Sequence, residues 1–196
     1  MAEPAIKRMT VDEFLGWDDG TDTRYELIDG HVVAMAPPAR AHSQLVAALA
    51  AEIRPALRAR QGCTAQVEAG IVRPDRADLC FVADLAVTCE PAKPDDRFVD
   101  NPVLVVEVLS PSTNAFDRNL KVPEYRQIPS VQEILLIDSE SCFAEILRRD
   151  GKRWITEIVQ GSEATLSLSS VPLTVAMSEL YEGIPLPQRP GRTATA

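Results

Sequence analysis

Aromatic residues are scarce. Phe, Trp and Tyr make up 5% of the 196 residues, so a core has to be built mostly from Val, Leu, Ile and Ala. Positive charge is also short: 20 Lys and Arg stand against 29 Asp and Glu, a formal net charge of −9. Long-range electrostatics then repel nucleic acid, which argues against a protein that coats DNA through bulk charge. A metal enzyme acting on phosphodiesters survives this test, because bound cations invert a local acidic field. No apolar run is long enough to span a bilayer, and Met1–Thr10 lacks the apolar segment of a signal peptide. These absences predict a soluble, cytoplasmic protein. The four cysteines, Cys63, Cys80, Cys89 and Cys142, never stand at C-x-x-C spacing, and the two histidines are not placed to complete a zinc site. They read as reduced thiols.

What is present suits a single domain over residues 1–187. Apolar residues reach 45%, enough for a real core. The segment 188–196 is polar with Pro and Gly, and is expected to be disordered. No internal repeat appears.

Turn and cap signals divide the chain. Thr10-Val-Asp-Glu13 is a capping box that opens a short helix ending near Trp17. Tyr25 to Met35 reads as two strands around Asp29-Gly30, a hairpin signal because both turn residues must accept positive φ. Leu45, Leu49, Ile53 and Leu57 recur every four residues and predict a helix, with Pro55 kinking its last turn and Gly62 closing it. Ala69–Arg73, Leu79–Cys89, Val103–Leu109 and Glu133–Asp138 are short apolar runs, as buried strands are. Pro123–Ile128 predicts a short helix with Pro123 in its first turn. Cys142–Arg149 and Trp154–Gln160 alternate around Asp150-Gly151, a second hairpin. A strand over Ala164–Leu168 and a helix over Met177–Tyr181 complete the order. The expected class is mixed α/β or α+β with one central sheet.

Several polar residues interrupt this pattern. Glu107 sits in Val103-Leu-Val-Val-Glu-Val-Leu109, where an ionised carboxylate is costly unless paired or bound to a cation. It is either a metal ligand or a glutamate held by an arginine or lysine. Asp84 sits in a second apolar run, Phe81 to Val87. Two buried acids brought together cannot both stay ionised without a cation between them, and hard carboxylate oxygens suit magnesium or manganese. The pair favours the metal reading. Glu26, on an alternating strand, reads as an outward-facing solvated residue. Lys121 follows Asp117 by four, the spacing of a surface ion pair worth about 0.2–0.5 kcal/mol; the alternative is a lysine that orients water or neutralises phosphate charge. His42 opens the Leu45 helix, as a helix-start residue or as a base near the acids. His31 carries no functional signal.

With these residues in view, the chain resembles the Uma2 family of the PD-(D/E)XK nuclease superfamily. The resemblance rests on Arg24-Tyr-Glu-Leu-Ile-Asp-Gly-His-Val-Val-Ala-Met-Ala-Pro-Pro38 followed by His42, and on Val105-Val-Glu-Val-Leu-Ser-Pro-Ser-Thr113 leading into Asp117, Lys121 and Tyr125. Ile128-Pro-Ser-Val-Gln-Glu-Ile-Leu-Leu-Ile-Asp138 and the segment 166–181 extend it, so that it covers roughly Met9 to Ile184. It implies a restriction-endonuclease-like mixed sheet flanked by helices, with an added N-terminal hairpin and a C-terminal β-hairpin. It implies a metal-dependent DNA endonuclease using Mg2+ or Mn2+, and a homodimer, since duplex cleavage needs two sites. Asp84 matches the first strand acid. Glu107 matches the acid of the D/E-x-K element, with the Val108 carbonyl as a further metal ligand. Glu26 matches an extra glutamate near the metal, and His42 an auxiliary. Two departures stand out. Leu109 holds the usual lysine position, which moves that role to Lys121, and Ala83 replaces a proline before Asp84. Pro123 is expected to disfavour helical geometry at Val122 and so to spoil the approach of Lys121.

Overall fold

The computed structural model describes residues 8–60 and 62–187; the tail expected to be disordered, 188–196, lies outside them. Local chemistry sets the first elements. Thr10 caps helix α1 (Val11–Leu15): its hydroxyl accepts from the Glu13 N–H, and the Glu13 carboxylate accepts from the Thr10 N–H. Strands β1 (Tyr25–Ile28) and β2 (His31–Ala34) close on Asp29-Gly30, with φ of +49° and +78°, the left-handed pair that a two-residue hairpin turn demands. Helix α2 (Arg40–Leu57) buries Leu45, Val46, Leu49, Ile53 and Leu57 along one stripe, and it ends two residues after Pro55.

The main sheet adds β3 (Thr64–Val72), β4 (Cys80–Thr88), β5 (Pro102–Leu109), β6 (Glu133–Asp138), β7 (Phe143–Asp150) and β8 (Arg153–Gln160). Its order is β2-β1-β4-β5-β6-β7-β8, with β3 on the other edge of β4. Only β5 and β6 run parallel among these pairs. A parallel pair needs a crossover. It consists of α3 (Asn114–Phe116), a π-helical turn (Asp117–Lys121) and α4 (Val122–Tyr125). β9 (Thr165–Leu168), the strand expected near Ala164, pairs with β10 (Leu173–Ala176) in a small second sheet, followed by α5 (Met177–Leu180).

Each face of the sheet carries its own core. On one face α2, β9, β10 and α5 cover Leu104, Val106 and Leu135. On the other, Tyr125, Ile128 and Val131 cover Phe81, Val105 and Ile134. Every residue of β5 is buried, which explains why it reads as a continuous apolar run rather than an alternating one.

Strand β4 departs from regularity at the position that matters most. Phe81 and Ala83 pack in the α4-side core, whereas Leu85 and Val87 pack in the α2-side core. Residues two apart in a regular strand share a face, so β4 rolls over at Asp84. Opposite it on β3, Glu68 has φ +53° and drops out of the ladder between Val67↔Leu85 and Ala69↔Ala83.

Two expectations need correction. Cys63 and Cys89 form a disulfide rather than standing as reduced thiols; Cys80 and Cys142 are free. The bonded pair is 26 apart in sequence, and the β3–β4 register, Thr64↔Thr88, brings it together. Val122 is helical, with φ −57° and ψ −46°, despite Pro123. The Val122 N–H reaches the Asp117 carbonyl in π spacing, and Pro123, which has no N–H to place, falls in the first turn of α4 just after that bond. No helix among the described residues is long and apolar enough to cross a membrane.

Candidate functional site at the fork between β4 and β5

β4 meets β1 at Cys80 and meets β5 only from Leu85 onward. Between them, residues 81–84 face an open wedge in the sheet. Buried main-chain groups there still need partners, and side chains supply them. Val82 N–H donates to Glu26 Oε1 at 2.9 Å, and its carbonyl accepts from Lys121 Nζ at 3.0 Å. Val108 N–H, on the β5 side, donates to Asp84 Oδ2 at 2.7 Å. Asp84 Oδ1 lies 2.9 Å from His42 Nε2 in the first turn of α2. The wedge is thus stitched by ionisable groups where a β ladder would otherwise run.

Lys121 is the centre of the cluster. Its ammonium lies 2.9 Å from Glu26, 3.3 Å from Glu107 and 3.7 Å from Asp117, and the residue is only 5% exposed. Phe81 and Phe116 place their rings 6.0 and 5.7 Å from it. The Tyr125 hydroxyl donates to Glu107 Oε1 at 2.6 Å. The π turn explains this convergence. A π turn rotates residue i+4 in the opposite sense to an α turn, so Asp117, Lys121 and Tyr125 stay near one line across the π–α junction.

The electrostatics follow from burial. Desolvation pushes the Glu107 carboxyl up to about 8; Asp84 and Asp117 add to the rise, against the pull of Lys121 and Tyr125. Burial likewise raises the Asp117 carboxyl, with Lys121 opposing. Burial alone would lower the Lys121 pKa, but Glu107, Glu26 and Asp117 outweigh it and hold the ammonium above its ordinary value. Burial and Glu107 raise the Tyr125 phenol. These surroundings favour the charged, hydrogen-bond-donating form of Lys121.

The sequence placed five residues in a site, and the structure brings them to one wedge: Glu26, His42, Asp84, Glu107 and Lys121. Val108 joins through its N–H. The solvated, outward reading of Glu26 is overturned. It is 4% exposed, because Leu27 pairs across to Cys80 and swings residue 26 over the β4 gap. The surface-pair reading of Lys121 also fails on burial. Asp117 and Tyr125 were absent from the expected site; their spacing of four residues on either side of Lys121 was the available signal. His31 stays outside.

The oxygen-rich donor set suits a hard divalent cation in kind. Glu26, Asp84, Glu107 and Asp117 outnumber Lys121. No three His, Cys, Asp or Glu side chains among the described residues are gathered as a ready cage. The ammonium holds three of the four carboxylates around itself.

Comparisons with known proteins bear on this arrangement. The uncharacterized protein slr1290 of Synechocystis sp. is 30% identical over 188 residues, spanning 90% of this chain and 93% of its own. A second Synechocystis protein, sll1609, also uncharacterized, is 29% identical over 175 residues, spanning 86% and 97%. The fold is similar to the crystal structure of "a putative nuclease belonging to DUF820" from Anabaena variabilis, with a TM-score of 0.73 at 20% identity, covering 89% of this chain and 98% of that one. The model of the Uma2 family, described as "Putative restriction endonuclease", matches residues 11–178, and the chain belongs to that family.

Proposed function

We propose that the chain is a divalent-metal-dependent endonuclease that hydrolyses DNA phosphodiester bonds at the β4–β5 fork. The observation that carries this reading is the surplus of buried negative charge around Lys121. Folding tolerates the buried Glu26, Glu107 and Asp117 against one ammonium only at a cost, and burial accordingly raises the Glu107 carboxyl to about 8. Such a surplus has a use where a cation is to be received.

Asp84 and Glu107, with the Val108 carbonyl, are the residues that would hold Mg2+ or Mn2+. A bound divalent ion would supply an acidified water and offset charge on the phosphate. The protein's own groups do the rest. Lys121 donates to a water or a phosphate oxygen and carries positive charge into the wedge. Glu26 fixes Lys121, Tyr125 fixes Glu107, and His42 fixes the second oxygen of Asp84. A second reading, a nuclease-fold module that binds without cutting, draws on the net charge of −9 and on Leu109. The reach of Lys121 into the cluster supports the first reading over it.

Purified protein with Mg2+ or Mn2+ is expected to nick supercoiled plasmid DNA, and Asp84→Asn and Glu107→Gln are expected to abolish nicking while remaining folded. Wild-type protein inert with both metals, or a Glu107→Gln variant as active as wild type, ends the reading.

A further inference from the structure

Among the described residues the sheet has three free edges, and two of them are blunted. β2 is four residues long. β3 is broken by Glu68 at φ +53° and covered at Gly70, whose carbonyl accepts from Val99 N–H at 2.9 Å. β8 is different. It runs eight residues, Arg153–Gln160, without Pro, Gly or a positive φ, and pairs only with β7 among the described residues. A long, regular, open edge is a template for another strand, and native proteins usually disarm it. β8 also holds Ile155 and Ile158, 53% and 61% exposed, the two most exposed large apolar residues described.

The charges on β8 say which strand fits. Residues opposed across an antiparallel pair share a face, so a two-fold pairing of β8 with itself must centre on a residue. Centring on Arg153 or Glu157 sets like charges against each other. Centring on Trp154, Thr156 or Ile158 pairs no opposite charges. Centring on Ile155 sets Arg153 against Glu157 of the second copy, and Glu157 against Arg153, while Ile155 meets its own copy. Lys152, at the turn, then falls opposite Ile158, and its methylene stem can cover it. Glu157 is already oriented by Arg148 at 2.9 Å yet remains 51% exposed.

We infer that the free edge of β8 pairs antiparallel with β8 of a second copy, centred on Ile155, to join two molecules through one continuous sheet. The occupant is this chain itself, because the same strand carries both halves of the charge pattern.

Sedimentation velocity over a concentration series tests this, with circular dichroism and thermal melting as controls for folding. Wild type is expected to dimerise reversibly. Arg153→Glu and Glu157→Arg each reverse two symmetry-related pairs and are expected to weaken dimerisation at least about tenfold. The double variant R153E/E157R restores opposite charges across the pair, although it sets an arginine beside Arg148, and is expected to dimerise at least about threefold more tightly than either single variant. Wild type monomeric throughout overturns the proposal. So does a dimer indifferent to both single reversals, which locates the interface elsewhere. A wild-type monomer that dimerises only after removal of residues 188–196 overturns it in favour of the chain's own tail on that edge.

Discussion

Two buried glutamates, Glu107 and Glu133, sit in adjacent apolar strands and look alike in sequence, yet their surroundings are opposite. Glu133 is closed. Its carboxylate accepts from Ser169 N–H at 3.0 Å, Ser170 N–H at 2.6 Å and the Ser170 hydroxyl at 2.5 Å, and it pairs with Arg148. Both Glu133 oxygens are occupied, and Arg148, which also meets the half-exposed Glu157, neutralises the charge; the loop between β9 and β10 is pinned to the main sheet. Glu107 shares one ammonium with Glu26 and Asp117 and is held by Tyr125. The first arrangement is complete as folded. The second is overcharged, and the difference separates an anchor from a receptive site better than burial does.

Removing the shared cation tests the contrast hardest. Lys121→Met leaves Glu26, Glu107 and Asp117 facing one another dry, and is expected to lower unfolding free energy by about 3–5 kcal/mol in urea titrations. A loss below about 1 kcal/mol would mean that the carboxylates do not depend on the ammonium. Glu133→Gln comes next, at about 2–3 kcal/mol, because it swaps a charge-assisted anchor for a neutral one. It should leave plasmid nicking by the folded protein unchanged; lost nicking would erase the distinction between anchor and site.

The pH dependence sharpens the same contrast. The Glu107 carboxyl is raised from an ordinary 4.5 to about 8 in the folded protein. Between those values the folded state holds a proton that the unfolded state has released, so the Glu107 contribution is full below about 4.5 and is lost as pH rises to about 8. In chelator-treated protein, wild type is expected to lose on the order of 2 kcal/mol more than Glu107→Gln over that window. Parallel profiles would show that Glu107 is not the titrating group. The smallest effect belongs to Tyr125→Phe, about 1 kcal/mol for one lost hydrogen bond, with nicking reduced further because Glu107 is no longer held in place.

Much of the fold was legible in the residues. The Thr10 capping box, the Asp29-Gly30 turn and the four-residue spacing from Leu45 to Leu57 act locally, and each element formed where its chemistry placed it. Glu107 and Asp84 were visible because charge inside an apolar run is costly. What stayed hidden depends on register. Glu26 is buried only because β1 meets β4 at a single residue pair, and Cys63 meets Cys89 only through the β3–β4 ladder. Pro123 reads as disruptive only against a continuous α-helix, whereas a π turn precedes it. Tyr125 carried no role in the sequence because a fully buried tyrosine shows its hydroxyl partner only in three dimensions.

Val82 has an unremarkable side chain, yet both of its main-chain groups end on residues of the wedge. Whatever enters and draws Glu26 or Lys121 toward itself must release an amide or a carbonyl of β4. Binding at the wedge and loosening the seam of the sheet are thus the same event, and the solvent-exchange rate of that one amide is a built-in gauge of occupancy.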